Sequence, residues 1–214
     1  MSDIIIREIE ERDLCDLKSL IVEAFGEGWN FARFDQHSDS FQALLEVYLS
    51  MFLESSTFGR VAIINNKVAG AVLCSSKGDV EKLRQLQKGR APSTLMLLTA
   101  TESERMDIVE HLSTSFRAIG QLLEHRVDTY DGSLEFIAVS KQAQGLKIGK
   151  MLWGEASAYF NARKTKSIYL IADSACNFGF YDYNGFSRVD AKKAIYNYST
   201  GRKQFDIFVY EYRF

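Results

Sequence analysis

A chain of 214 residues, 46% hydrophobic and 25% charged, has the length of one domain and enough apolar side chains to bury a core without disulfides or metals. Its 26 basic and 28 acidic residues nearly cancel, which excludes a general attraction to nucleic acid or to an anionic membrane, so any anion site has to be local. Cys15, Cys74 and Cys176 are odd in number and far apart, with no Cys-x-x-Cys pair and no close histidine; this argues against a disulfide framework and a zinc site, and fits reduced cytoplasm.

In chain order, Ile4, Ile5, Ile6 and Ile9 form a β-branched opening, and Leu14, Leu17, Leu20, Ile21 and Ala24 then recur at helical spacing. Charges enter before a signal-peptide core can form, and no later apolar run approaches the ~20 residues that span a bilayer, so a soluble, non-exported chain is expected. After a polar and aromatic loop around Trp29 to His37, Asp39 or Ser40 is expected to cap a second helix carrying Phe41, Leu44, Leu45, Tyr48 and Phe52. Residues 60–64 and 68–74 read as a hairpin joined at Asn65-Asn66-Lys67, because paired asparagines tolerate left-handed backbone. Residues 77–91 are charged and helix-prone until Pro92 and Ser93 break the pattern. Residues 104–124 read as a long amphipathic helix with Val109, Leu112, Phe116, Ile119 and Leu123 on one face.

The second half is more informative. Residues 133–139 read as a strand, 144–149 as a glycine-bearing turn and 150–163 as a helix burying Leu152, Ala156, Tyr159 and Phe160. Residues 167–172 fit a buried strand, followed by a short helix through Tyr181 that stops at Asn184-Gly185. The last two strands, 186–198 and 204–214, flank a turn at Thr200-Gly201. This order predicts a single domain of the α/β (α+β) class: a mixed, mostly antiparallel sheet flanked by helices, with one right-handed strand-helix-strand crossover. Ligands of open sheets favour the carboxyl ends of parallel strands, here near 139–149 and 172–181.

The loop 139–150 runs into a helix N-terminus, where up to four N–H groups lack intrahelical partners and the helix dipole favours an anion. Gly145 and Gly149 would let a diphosphate approach the backbone, with Lys147 and Lys150 as cations; the plainer reading is that the glycines only permit a tight turn. Neither the dinucleotide fingerprint nor the P-loop of triphosphate-binding proteins is present.

Leu134-Glu135-Phe136-Ile137-Ala138-Val139, followed after four residues by Gln144-Gly145-Leu146-Lys147-Ile148-Gly149, resembles the central motif of GNAT acetyltransferases, Gln/Arg-x-x-Gly-x-Gly/Ala, with Lys147 in place of its first glycine. Residues 173–186, with Tyr181 before an acidic residue and then Gly185-Phe186, resemble the family's second marker. The resemblance implies N-acetyl transfer from acetyl-CoA, a co-substrate, to a primary amine by direct attack in a ternary complex, without a metal. It implies that Ile137, Ala138 and Val139 lend main-chain groups to the pantetheine arm and acetyl carbonyl. Gln144, Gly145, Leu146, Lys147, Ile148, Gly149 and Lys150 would surround the pyrophosphate, Asn177 would touch the cofactor or cap a helix, and Tyr181 would act as general acid. Lys147 is expected to take helical geometry without strain. Glu135 is the nearest carboxylate for a general base.

Direct transfer needs no nucleophile from Cys176. His37, His111 and His125 are isolated and read as structural. Segment 77–124 looks like a member-specific helical insertion. Substrate choice is expected from the first two helices, the 29–37 loop and the final hairpin; there Trp29, Phe31, Phe34 and Tyr48 would line an aromatic pocket or pack in the core, and Glu27, Asp35 and Asp39 would attract a cationic amine or be ordinary surface charge. No nucleic-acid or membrane partner is expected, and the aromatic C-terminal strands offer an edge for a homodimer, a monomer being the alternative. The rival function is a catalytically inactive acyl-CoA-binding or sensor module.

Overall fold

The computed structural model describes residues 3–26, 38–80, 83–87 and 100–214. Their elements run β1 (Ile5–Glu8), α1 (Leu14–Phe25), α2 (Asp39–Ser55), β2 (Phe58–Ile64), β3 (Lys67–Ser76), α3 (Glu102–Leu123), β4 (Gly132–Val139), α4 (Ile148–Ala162), β5 (Ser167–Asp173), α5 (Gly179–Tyr183), β6 (Ser187–Tyr198) and β7 (Gly201–Arg213). Among the described residues the strands form one sheet in the order β1-β2-β3-β4-β5-β7-β6. All neighbours are antiparallel except β4 and β5, which are parallel, as the strand-helix-strand pattern predicts.

Local chemistry accounts for the joints. Asn65 and Asn66 both adopt left-handed backbone, φ 50° and 61°, and turn β2 into β3. The cap of α2 is Ser38 rather than Asp39 or Ser40: it keeps extended backbone while its side chain accepts from the Phe41 N–H, leaving Asp39 in the first turn where a negative charge suits the helix dipole. Thr101 and Glu104 close a reciprocal capping box at the start of α3. Of the helix-prone segment 77–91, residues 77–80 are turn and irregular chain and Leu83–Gln87 a short 3-10 turn; the rest lies outside the described residues.

The face of α3 is rotated from the one the apolar spacing suggests. Of the expected stripe, Leu112, Ile119 and Leu123 are half-buried against the core while Val109 and Phe116 are exposed, and Asp107, Ile108, His111, Ala118 and Leu122 are buried. Polar residues can face inward here because they find partners on β6 and just beyond it: Asp107 accepts from the Ser199 N–H and hydroxyl at 2.7 and 2.5 Å, and His111 Nδ1 bonds the Tyr198 hydroxyl at 2.6 Å.

Two layers result. Leu134, Ile137 and Val139 of β4 and Ile168, Leu170 and Ala172 of β5 pack with α4 and α5, while Phe136 and Ala138 face α1 and α2, and Tyr169 and Ile171 face α3. Tyr48 of α2 meets His111 of α3 edge to face at 6.1 Å, so these helices share the face opposite α4.

Candidate active site

β4 and β5 pair only at Gly132 with Ile168 and Ser133 with Tyr169. Beyond those two pairs each strand follows its outer neighbour, β4 staying with β3 as far as Val139 and β5 with β7 as far as Asp173. The inner edges, 134–139 and 170–173, therefore diverge into a wedge open at the carboxyl ends. A bulge drives the divergence: Cys74 pairs with Leu134 and Leu73 with Phe136, so Glu135 is the extra residue that bends β4. At the apex a side chain on Gly132 would fall on the Ser75 carbonyl and stand 3.1 Å from the Phe160 ring, so only glycine lets the strands meet there.

From the upper end of β4 the chain turns through Lys141–Ala143 and Gly145, φ 85°, into Lys147, φ 62° and ψ 15°, which caps α4. The helical geometry expected for Lys147 is not what it adopts: it occupies the left-handed well where the motif it resembles has glycine. That conformation costs a side-chain-bearing residue roughly 1–2 kcal/mol. Lys147, Ile148, Gly149 and Lys150 offer backbone N–H groups that meet no acceptor among the described residues. These donors, the α4 dipole and the exposed Lys147 and Lys150 fit a diphosphate. Gln144 and Leu146 are exposed beside them. The two glycines differ in purpose. Gly145 needs its positive φ, whereas a methyl on Gly149 would stand 3.1 Å from Phe180, because α5 closes directly against the first turn of α4.

Tyr181 lies on α5, its ring 5.5 Å from Tyr210, 5.7 Å from Phe180 and 5.8 Å from Phe186. Its hydroxyl makes no hydrogen bond among the described residues. Burial, with smaller contributions from Cys176, Asp173 and Tyr210, holds its pKa well above that of an ordinary tyrosine, so the phenol stays protonated and can donate. Asn177 is exposed and does not cap α5, whose N-cap is Phe178 without a side-chain bond. The Cys176 thiol donates to the Asp173 carbonyl at 3.1 Å, and burial followed by the Asp173 charge pushes it up to about 11. It is a thiol at neutral pH, in keeping with a reaction that needs no cysteine nucleophile.

Glu135 accepts from the Ser133 hydroxyl, which also bonds Ser75 at 2.9 Å. It lies just above the apex, and the adjoining Tyr169 is raised to about 12 by burial and then by the Glu135 charge. His111 is buried and bonded, as a structural reading requires; His125 is exposed. Trp29, Phe31, Phe34, Glu27, Asp35 and His37 lie outside the described residues. Among the described residues no group of His, Cys, Asp and Glu is placed to hold a metal, and no helix is long and apolar enough to cross a membrane.

Asp173 is a residue that the sequence reading passed over. It ends β5, and its Oδ1 accepts from the Ala175 N–H at 2.8 Å and the Cys176 N–H at 3.0 Å. The signal was available: an aspartate closing an apolar strand before Ser-Ala-Cys-Asn is the pattern of an Asx turn.

No protein-family model and no curated protein matches the chain. Solved structures do. The ribosomal-protein-S18-alanine N-acetyltransferase of Escherichia coli superimposes with a TM-score of 0.54 at 13% identity over 99% of this chain and 94% of that one. The polyamine N-acetyltransferase of Drosophila melanogaster gives 0.54 at 10% identity over 99% and 100%. An acetyltransferase of the GNAT family from Streptococcus pneumoniae gives 0.51 at 16% over 99% and 100%. The chain has the GNAT acetyltransferase fold along essentially its whole length.

Proposed function

We propose that the chain is an acetyl-CoA-dependent N-acetyltransferase that moves the acetyl group to a primary amine by direct attack in a ternary complex. The observation that carries this reading is the wedge between β4 and β5, with unpaired helix N–H groups at the end of one strand and the Tyr181 phenol at the end of the other. Structures of similar fold are named as N-acetyltransferases of a protein alanine and of polyamines, which supports the reaction class and leaves the acceptor open.

The chain's own groups suit the three tasks of such a transfer. Backbone at Ile137, Ala138 and Val139, on an edge no strand occupies, aligns the pantetheine arm and supplies donors to the acetyl oxygen as it gains charge. Gln144, Gly145, Leu146 and the N–H groups of Lys147, Ile148, Gly149 and Lys150 surround the pyrophosphate, with exposed Asn177 beside the arm. The Lys147 side chain adds a charge where the family pattern has none. Tyr181 protonates the sulfur as the carbon–sulfur bond breaks. Glu135 is the base nearest in sequence. The three free thiols fit a reducing, cytoplasmic setting.

Calorimetric titration of the purified protein with acetyl-CoA, with NAD and ATP as controls, is the first test, and saturable binding of acetyl-CoA alone is the expected result. No binding by folded protein would remove the reading. Thiol release with an amine panel then follows, where Tyr181→Phe should lower turnover by roughly 10²–10⁴-fold while acetyl-CoA still binds. Binding without transfer to any amine would leave an acyl-CoA-binding module.

A further inference from the structure

We propose that Asp173 receives the acceptor amine, anchoring its ammonium and taking the nitrogen's proton, and that the acceptor is therefore an aliphatic amine charged at neutral pH. The inference rests on the transfer reading above and concerns its acceptor side, on which Glu135 is the competing carboxylate.

Height in the wedge separates the two. Strands rise ~3.3 Å per residue. Glu135 is two residues past the Ser133 pair and sits in the bulge, where the strands have barely parted. Asp173 is four residues past the Tyr169 partner, ~13 Å above the apex. Counting up both strands from the paired register brings it level with Ile137, or with Ala138 once the bulge is allowed for. That is the backbone assigned to the thioester.

Side is the second argument. Tyr169 and Ile171 face α3, and strand alternation puts Asp173 on that face too, while Tyr181 packs among residues of the α4 layer. An amine at Asp173 thus approaches a carbonyl held in the gap from the α3 side, clear of Tyr181, which keeps to the sulfur. Orientation is the third. Two backbone N–H bonds to Oδ1 fix the carboxylate at the strand tip.

The tyrosines and the cysteine that face Asp173 are all held above their usual pKa. Tyr48 of α2, Tyr196 of β6 and Tyr181 of α5 are all raised by burial in the first place, each with a contribution from Asp173, and so is Cys176; Tyr210 of β7 is raised by burial as well. Arg188 of β6 bonds the Tyr210 hydroxyl at 2.6 Å. The step balances as follows. Asp173 takes one proton from the ammonium and releases it to bulk water, which frees the nitrogen lone pair. The lone pair forms the carbon–nitrogen bond, the carbon–sulfur bond breaks, Tyr181 protonates the sulfur, and the second nitrogen proton returns through water to the Tyr181 phenolate; an uncharged amine needs only this second transfer.

The test uses the full chain with acetyl-CoA and four probes: butylamine, spermidine, an alanyl peptide and p-anisidine, the last uncharged at neutral pH. If Asp173 takes the proton inside the complex, wild-type kcat/KM for butylamine is flat with pH between the carboxylate and amine pKa values. Asp173→Asn keeps the Oδ1 acceptor for both N–H groups but cannot take a proton. It should rise tenfold per pH unit, start ~100-fold lower near pH 7, and leave the KM for acetyl-CoA and transfer to p-anisidine within about threefold. A tenfold rise per pH unit in the wild type overturns the inference even if the variant does not fold. So does equal loss on all four probes, no loss at all, or the same changes in Glu135→Gln. Wild-type transfer to p-anisidine alone overturns the inference and spares the transfer reading; no transfer to any probe removes both.

Discussion

Lys147 stands where backbone conformation and ligand chemistry pull against each other. Its φ of 62° suits glycine, yet its ammonium stands at the anion end of α4. Lys147→Gly should relieve the left-handed strain and, less the extra freedom glycine gains in the unfolded chain, raise stability by about 0.5–1 kcal/mol in urea titrations. The same change should weaken acetyl-CoA binding a few-fold at low salt, with the gap closing as salt is added. Residue types made this loop legible, because glycine next to a helix start has few uses. Conformation at a single residue was not legible: nothing in the letters Leu-Lys-Ile says that the lysine must reverse its φ. Asp173 escaped notice for a related reason, since its height in the wedge depends on where the parallel pairing stops, and pairing is a property of two strands.

At the scale of elements, the strand and helix periods were a good guide wherever one face meets apolar core. The β2–β3 hairpin, α4 and the β6–β7 hairpin fall within a few residues of their expected positions for that reason. α3 shows the limit, because Asp107 and His111 turn inward to partners on and beyond β6 that no local window contains. The Arg7–Asp13 pair is another such joint. Arg7 of β1 bonds both Asp13 oxygens at 2.7 Å, and Asp13 in turn accepts from the Glu10 N–H at 2.8 Å at the head of α1. Burial works against the charge of Asp13, but the Arg7 and Glu10 bonds prevail and hold its pKa below the usual 3.8. A depressed carboxylate contributes stability that is complete above its unfolded pKa and is lost as pH falls through the lower folded value. Asp13→Asn should therefore cost about 2 kcal/mol at neutral pH, a modest figure because Arg7 is partly exposed, and the difference should shrink below about pH 4. Denaturant midpoints of both proteins at several pH values measure it.

Across the whole molecule the sheet behaves as two plates, β1 to β4 and β5 to β7, joined edge to edge by only two residue pairs. The join is reinforced below the apex, where Asp131 accepts from the Lys166 and Ser167 N–H groups at 2.8 and 3.2 Å. Aromatic contacts of Trp153 with Phe186, Tyr212 and Phe214 carry α4 across to the second plate. Above the apex no strand bonds cross the wedge, so the amides of 134–139 and 170–173 that point inward have water as their partner unless a ligand's polar arm replaces it. The free protein should exchange those inward amides quickly, while the neighbouring amides that bond β3 and β7 stay protected. Saturating acetyl-CoA should slow the inward amides of β4 by at least tenfold, and at a hundredfold excess over its Kd it should add about 2.7 kcal/mol to global stability by mass action. Hydrogen exchange with residue resolution separates the two effects, because global stabilisation slows only amides that open by unfolding, whereas an arm lying along β4 slows its inner edge before its outer one. Equal protection on both edges would place the bound molecule outside the wedge. Protection confined to the inner edge of β4 and the first turn of α4 would trace the arm from the thioester to its phosphates.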